Sequence, residues 1–272
     1  MEYYKYIFVI LVYRNTGDLV ECLESIKAKV TSFKSVIVNA YYDDRSQKEV
    51  ERIAGLYQCD FLSIENKGYS YGNNRGIDYV QKSYDYEYIV ISNPDIVIDN
   101  FEDKFLITDF GYDILAPKIV TVSGKNQNPA VVCRLPLSEY FIYYGYKHGS
   151  HFFLFCGIVI SKLIREIVLF VRRLLSCHIY SIYIAHGSFL LISRNAVNVL
   201  KTVYDENMFL FGEEGVLARR ASKAHLKTCY VDYISVTHKE DGSMKLSDLS
   251  IDGEMRKANI YFYENYIKKQ QK

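Results

Sequence analysis

Across residues 7–91 the sequence switches repeatedly between strand-like and helix-like hydrophobic patterns, and this alternation restricts the fold more than any other feature. Residues 7–13 are a continuous apolar run, as in a strand covered on both faces. Leu19, Cys22, Leu23 and Ile26 then recur at helical spacing behind Asp18-x-x-Glu21, which has the form of a capping box. Residues 35–38 read as a second strand, and Ser46-x-x-Glu49 as a second capping box that opens a helix with Val50, Ile53, Ala54 and Tyr57 inward. A third strand covers 60–64, the glycine-containing stretch 67–76 leads into another helix, and 88–91 is a fourth buried strand. Strands alternating with helices imply crossovers onto a mainly parallel sheet, so the fold class is α/β, with a mixed sheet flanked by helices. Such sheets bind ligands at the carboxyl ends of their strands. Residues 39–44, 67–74 and 93–95 all fall just after strands or at helix starts, which marks them as the first candidates for chemistry.

The second half is less regular. Residues 114–116, 118–122, 187–193 and 228–237 read as strands, and 195–204 and 213–224 as helices, while 129–146 is loop-rich and carries no assignable element. From Leu246 onward an amphipathic tail rich in tyrosine and lysine closes the sequence. Residues 152–160 are apolar but about half the length needed to cross a bilayer. Beyond them Leu163, Ile167, Phe170, Val171 and Leu174 repeat at helical spacing, with Lys162, Arg165, Arg172 and Arg173 as a basic flank. Two readings stand for this stretch: a core or oligomer helix, or an interfacial helix resting on anionic lipid.

With 33 Lys and Arg against 32 Asp and Glu, the chain has no global basic field to hold a nucleic acid, so any anion must be bound locally. Six cysteines form no C-x-x-C pair and have no histidine at zinc-ligand spacing, as expected of reduced thiols. The apolar run 7–13 lacks a charged leader and a cleavage site. The expected location is the cytoplasm, with a peripheral position on the inner face of the plasma membrane as its extension.

Asn93-Pro94-Asp95 ends a buried strand, where proline forces the backbone out of the ladder and presents the Asp95 carboxylate at the sheet edge. A hard divalent cation suits such a carboxylate when phosphate oxygens complete its shell; a turn aspartate capping its own backbone is the plainer alternative. Glu213-Glu214 at a helix start combines dipole stabilisation with mutual repulsion, although acids that merely cap helices are common.

These segments together resemble the family 2 glycosyltransferases of the GT-A fold, particularly bacterial rhamnosyltransferase-like members, over about the first hundred residues and again over 186–238. The stretch Asn66-Lys67-Gly68-Tyr69-Ser70-Tyr71-Gly72-Asn73-Asn74-Arg75-Gly76 is similar to the family's Asn-x-Gly-aromatic-x-x-Gly-Asn-Asn-x-Gly, and Asn93-Pro94-Asp95 follows at the family's distance. Val38-Asn39-Ala40-Tyr41-Tyr42-Asp43-Asp44-Arg45-Ser46 stands where the family has Val-Asp-Asn-x-Ser-x-Asp, with Asn39 in place of the base-reading Asp. Tyr204 to Glu214 resembles the Phe-Asp-Glu…Glu-Asp motif, with Glu-Glu for Glu-Asp and with Val216 where a further acid is usual.

The resemblance implies a GT-A domain over 1–240, comprising a nucleotide-binding half (1–100), a helical insertion (147–180) and an acceptor or catalytic half (186–240), and then a helical tail (241–272). It implies Glu214 as general base, with Glu213 the alternative. Asp95 and His238 would hold Mg²⁺ or Mn²⁺. Tyr13, Asn39, Asp44, Lys67, Gly68, Gly72, Asn73, Asn74, Asn93 and Arg220 would face a nucleotide-sugar donor carrying uridine or thymidine diphosphate. The loop 239–243 is expected to close over that donor. The implied reaction is inverting transfer to a saccharide acceptor, polyprenyl-diphosphate-linked, in bacterial surface polysaccharide synthesis. Two rivals remain: a sugar-phosphate nucleotidyltransferase, for which 13–17 is a poor phosphate loop, and a non-catalytic transferase-like subunit that binds a partner or membrane.

Overall fold

A computed structural model describes residues 1–104, 111–240 and 250–270. The first half runs β1 (Glu2–Val12), α1 (Gly17–Lys29), β2 (Phe33–Ala40), α2 (Asp44–Leu56), β3 (Asp60–Ile64), α3 (Tyr69–Ser83) and β4 (Tyr84–Ser92). The second half adds β5 (Ile96–Phe101), β6 (Ile114–Thr121), α4 (Pro136–His148), α5 (His151–Leu174), β7 (Ile179–Ser181), β8 (Phe189–Ser193), α6 (Arg194–Leu200), α7 (Glu213–Lys223), β9 (Thr228–His238) and α8 (Ile251–Phe262). The strands form one sheet in the order β3-β2-β1-β4-β8-β6-β9-β5, with β7 paired to β9.

Strands β3, β2, β1 and β4 are mutually parallel, as the strand–helix alternation predicts. Side chains on β1 point to opposite faces in turn. Tyr6, Phe8 and Ile10 enter a layer with Leu19, Leu23 and Ile26 of α1 and Ile53 of α2. Ile7 and Val9 enter the opposite layer with Ile77 and Val80 of α3, Val197 of α6 and Leu217 of α7. Each such side chain contributes about 1.5–3 kcal/mol by leaving water, so a register slip of one residue in β1 would disrupt both layers.

Beyond β4 the sheet is mixed. β8 lies antiparallel between β4 and β6, while β9 runs parallel to β6 and antiparallel to β5. This crossing of directions places the start of β8 and the end of β9 beside the carboxyl end of β4.

Several local expectations are corrected. The loop-rich stretch 129–146 contains α4, which pairs with α5 through close backbone approach at Gly145 and Gly157. Ser46 does not open α2: the helix begins one turn earlier, capped by Asp43, whose carboxylate accepts from the Ser46 N–H at 2.7 Å. The Asp18/Glu21 box does not form either, since Thr16 is the N-cap of α1 and makes no side-chain cap bond. Both acids instead pair with Lys239, at 3.0 and 2.5 Å. β6 is one strand through Pro117 rather than two, and α6 stops at Leu200 instead of reaching 204. β5 and β7 are strands that periodicity did not reveal. Residues 241–249, which carry most of the expected closing loop and the start of the tail, lie outside the described residues.

The described tail packs back onto the domain. Asp205 accepts from the hydroxyls of Tyr261 and Tyr266, at 2.8 and 2.6 Å, and Ala258 joins Met208 and Val216 in a small cluster. Glu264 receives hydrogen bonds from Lys147 and Tyr143 of α4.

Candidate active site

A cleft of about 640 Å³ opens at the carboxyl ends of the parallel strands. Leu11 and Tyr13 line it from the end of β1, Ala40 from β2, Asn66 from beyond β3, and Asn93 to Asp95 from beyond β4. Its volume falls in the range of small-molecule sites, and its position is where open α/β sheets bind ligands.

Register explains the meeting of Asp95 and His238. Ile96 at the start of β5 is opposite His238 at the end of β9, and the Lys239 N–H donates to the Asp95 carbonyl at 3.0 Å. The His238 Nε2 lies 3.3 Å from Asp95 Oδ2, and both residues are buried. A chain of polar groups orients the ring. Gln127 Nε2 donates to Glu240 at 3.0 Å, which turns its amide oxygen toward His238 Nδ1 at 2.7 Å. Nδ1 therefore donates to Gln127, and Nε2 faces the Asp95 carboxylate. A carboxylate and an imidazole Nε2 side by side in a cleft fit a divalent cation, with outer-sphere orientation already in place. Among the described residues no group of three or more His, Cys, Asp or Glu could hold a metal, so a ligand's own oxygens would have to complete the shell.

Glu213 and Glu214 line the same cleft at the N-terminus of α7. Gly212 precedes them in a left-handed conformation, φ 76°, which turns the chain into the helix. The Gly187 N–H donates to Glu214 Oε1 at 3.2 Å, and a Cβ at Gly187 would sit 2.7 Å from that oxygen, so this approach requires glycine. Burial pushes the Glu214 carboxyl above the ordinary carboxylate range. Burial and then the neighbouring Glu214 raise Glu213 much further, and its Oε2 is buried without a hydrogen-bond partner. The pair therefore holds a proton more readily than an exposed carboxylate, and Glu213 is the more strongly raised of the two.

His186 and Gln127, which no motif singled out, also line the cleft, together with Ser188, Glu240 and Phe209 to Phe211. Burial, together with His238 and Lys125, pushes His186 down to about 4. Its Nδ1 accepts from the Ser188 N–H at 3.2 Å, leaving Nε2 as the donor of a neutral ring.

Of the expected donor-side residues, the structure brings Tyr13, Gly68 and Asn93 into the cleft wall. Gly68 has φ 99°, and a Cβ there would collide with the Phe209 carbonyl. The others are not among the lining residues. Asn74 bridges to Tyr204, and Asn73 donates to the Tyr69 carbonyl at 3.1 Å within its own helix. Gly72 packs on Leu11, Asn39 is buried beside Ser63, and Asp44 accepts from Tyr41 at 2.8 Å on the surface. Lys67 pairs with Glu65 at 2.8 Å. Arg220 donates to the carbonyls of Val203 and Leu200, at 3.0 and 2.9 Å, away from the cleft wall. Val216, in place of the usual acid, is fully buried under the tail, where a carboxylate would be costly.

No protein-family model matches the chain, and no curated protein matches it. Among solved structures it is similar to GalNAc-T7 crystallised with UDP, GalNAc and Mn²⁺, with a TM-score of 0.57 at 12% identity. The likeness covers 87% of this chain and 44% of that one, so this chain spans less than half of its structural relative. At that identity the comparison speaks for architecture alone: the chain has the GT-A fold, a mixed α/β sheet flanked by helices.

Proposed function

We propose that this chain is a metal-dependent, inverting glycosyltransferase that moves a sugar from a UDP- or dTDP-sugar to a saccharide hydroxyl. The observation that carries the reading is that one cleft in a GT-A fold is lined by the Asp95–His238 pair and by Glu214 together. The similarity to a protein crystallised with UDP and Mn²⁺ supports the donor class.

In this reading Glu214 takes the proton of the acceptor hydroxyl, whose oxygen attacks the anomeric carbon as the bond to the donor's diphosphate breaks. Burial raises the Glu214 carboxyl above its usual range and so makes it a stronger base. The Gly187 N–H holds its position. Glu213 stays neutral beside it. Asp95 and His238 would hold Mn²⁺ or Mg²⁺, which when bound supplies positive charge against the leaving diphosphate. His186 Nε2–H offers a fixed donor to a ligand oxygen in the cleft. The further parts of the reading are a polyprenyl-linked acceptor, a role in bacterial surface polysaccharide assembly, and work at the inner face of the plasma membrane; they rest on the motif resemblance.

Thermal-shift titration with uridine and thymidine diphosphate sugars plus Mn²⁺, followed by a transfer assay with the stabilising donor, tests the proposal. Loss of transfer in Asp95→Ala and Glu214→Gln, with folding intact, is the expected result. An active Glu214→Gln enzyme would overturn the base assignment. No shift with any donor would favour the non-catalytic subunit.

A further inference from the structure

α5 extends 24 residues, about 36 Å at the helical rise, and buries little besides Gly157. Phe152, Phe155, Val159, Leu163, Phe170 and Leu174 form an outward stripe along its whole length, with Phe152 70%, Leu163 60%, Phe170 60% and Leu174 69% exposed. No helix among the described residues is long and apolar enough to cross a membrane. The stripe is an exposed apolar face, and such faces mark interaction sites.

The period of the stripe fits a flat surface and a second helix alike, since Cys156, Ile160, Leu163, Ile167, Phe170 and Leu174 also make an uninterrupted apolar heptad.

Charge selects the partner. Lys162 and Arg173 border the stripe, are exposed, and hold no ion pair among the described residues. Glu166, the only acid in α5, is paired with Arg165 at 2.6 Å. Arg165 itself points inward, donating to the carbonyls of Pro129 and Asn126 at 2.8 and 2.9 Å. The exposed border of the stripe is thus cationic.

We propose that α5 is a membrane-docking helix that lies in the headgroup plane of an anionic bilayer. Arg165 anchors α5 to the segment 126–129, which supplies Gln127 to the cleft wall. Docking of α5 therefore brings the cleft close to the bilayer surface. The purpose of that placement rests on the lipid-linked acceptor reading; the docking itself does not.

The test is flotation with vesicles of phosphatidylcholine alone and of an equal mixture of phosphatidylcholine and phosphatidylglycerol, alongside light scattering of the free protein. The wild-type chain is expected to float with the mixed vesicles and much less with phosphatidylcholine. Leu163→Glu with Phe170→Glu abolishes flotation, while Lys162→Glu and Arg173→Glu each weaken it about fivefold or more. These four positions are exposed, so circular dichroism and melting temperature stay unchanged. Failure of the wild type to float with either vesicle overturns the proposal. So does a dimer that dissociates in the Leu163→Glu, Phe170→Glu variant, which would make the stripe an interface between copies. A chain that floats yet shows no donor-induced thermal shift would retain the docking helix and reject the transferase reading.

Discussion

Asn74 offers the sharpest separation between a ligand contact and a structural one. Its side-chain amide donates to the Tyr204 carbonyl at 2.9 Å and to Glu206 at 3.0 Å, and its oxygen accepts from the Tyr204 N–H at 3.0 Å. Tyr204 is fully buried and Asn74 is 2% exposed, so water cannot replace these bonds. Asn74→Ala strands both backbone groups of Tyr204 at about 1–3 kcal/mol each, for a total near 4 kcal/mol. For 272 residues the unfolding entropy is about 0.57 kcal/mol/K, so the melting temperature should fall by about 7 °C. Asn74→Asp should be worse, because a carboxylate would face both the Tyr204 carbonyl and Glu206. The assay is thermal unfolding by circular dichroism, paired with calorimetric titration of UDP and Mn²⁺ below the transition. An Asn74→Ala chain with an unchanged melting temperature and no UDP binding would refute the reasoning and return Asn74 to the ligand.

Two further outcomes follow from the site. Glu213 has a folded-state pKa above its unfolded value, so the folded chain binds the extra proton and its stability falls as pH rises from about 4.3, by at most about 1.4 kcal/mol per pH unit. Glu213→Gln should therefore melt higher than wild type at pH 8, with the gap closing toward pH 4; a gap independent of pH would contradict the buried neutral acid. Gln127→Leu removes the acceptor that orients His238, so the Mn²⁺ concentration needed for UDP binding should rise about 10- to 100-fold, and an unchanged Mn²⁺ titration would rule out that role.

In the parallel half β1, β2 and β4 were legible because each holds a buried apolar run, whereas β3 is a half-buried edge strand legible from its place between two helices. β5 escaped because Ile96 to Ile98 gives way at once to exposed Asp99 and Asn100, and β7 because three residues show no period. α4 has no capping signature at Leu135, and its buried residues are Ser138, Tyr143 and Gly145, so only its packing against α5 reveals it. Asp95 and the Glu213–Glu214 pair sit at the ends of elements with a clear pattern, but their roles, and His238 altogether, were suggested by the motif resemblance. His186 and Gln127 could not be singled out, since β-sheet register and a neighbouring amide place them. Asn73 and Asn74 show the limit most clearly: an asparagine at a helix start has the same sequence pattern whether it meets a ligand or another part of the chain.

The contacts of the tail also bear on the order in which the molecule can form. The cleft wall at Phe209 to Phe211 is held from one side by α3, through Gly68 and Tyr69, and from the other by Tyr261 and Tyr266, which grip Asp205. Residues more than fifty positions apart on either side must therefore meet before that wall is fixed. The parallel half closes its crossovers within residues 1–92, whereas the turn before Glu213 draws its support from residues as late as Tyr266.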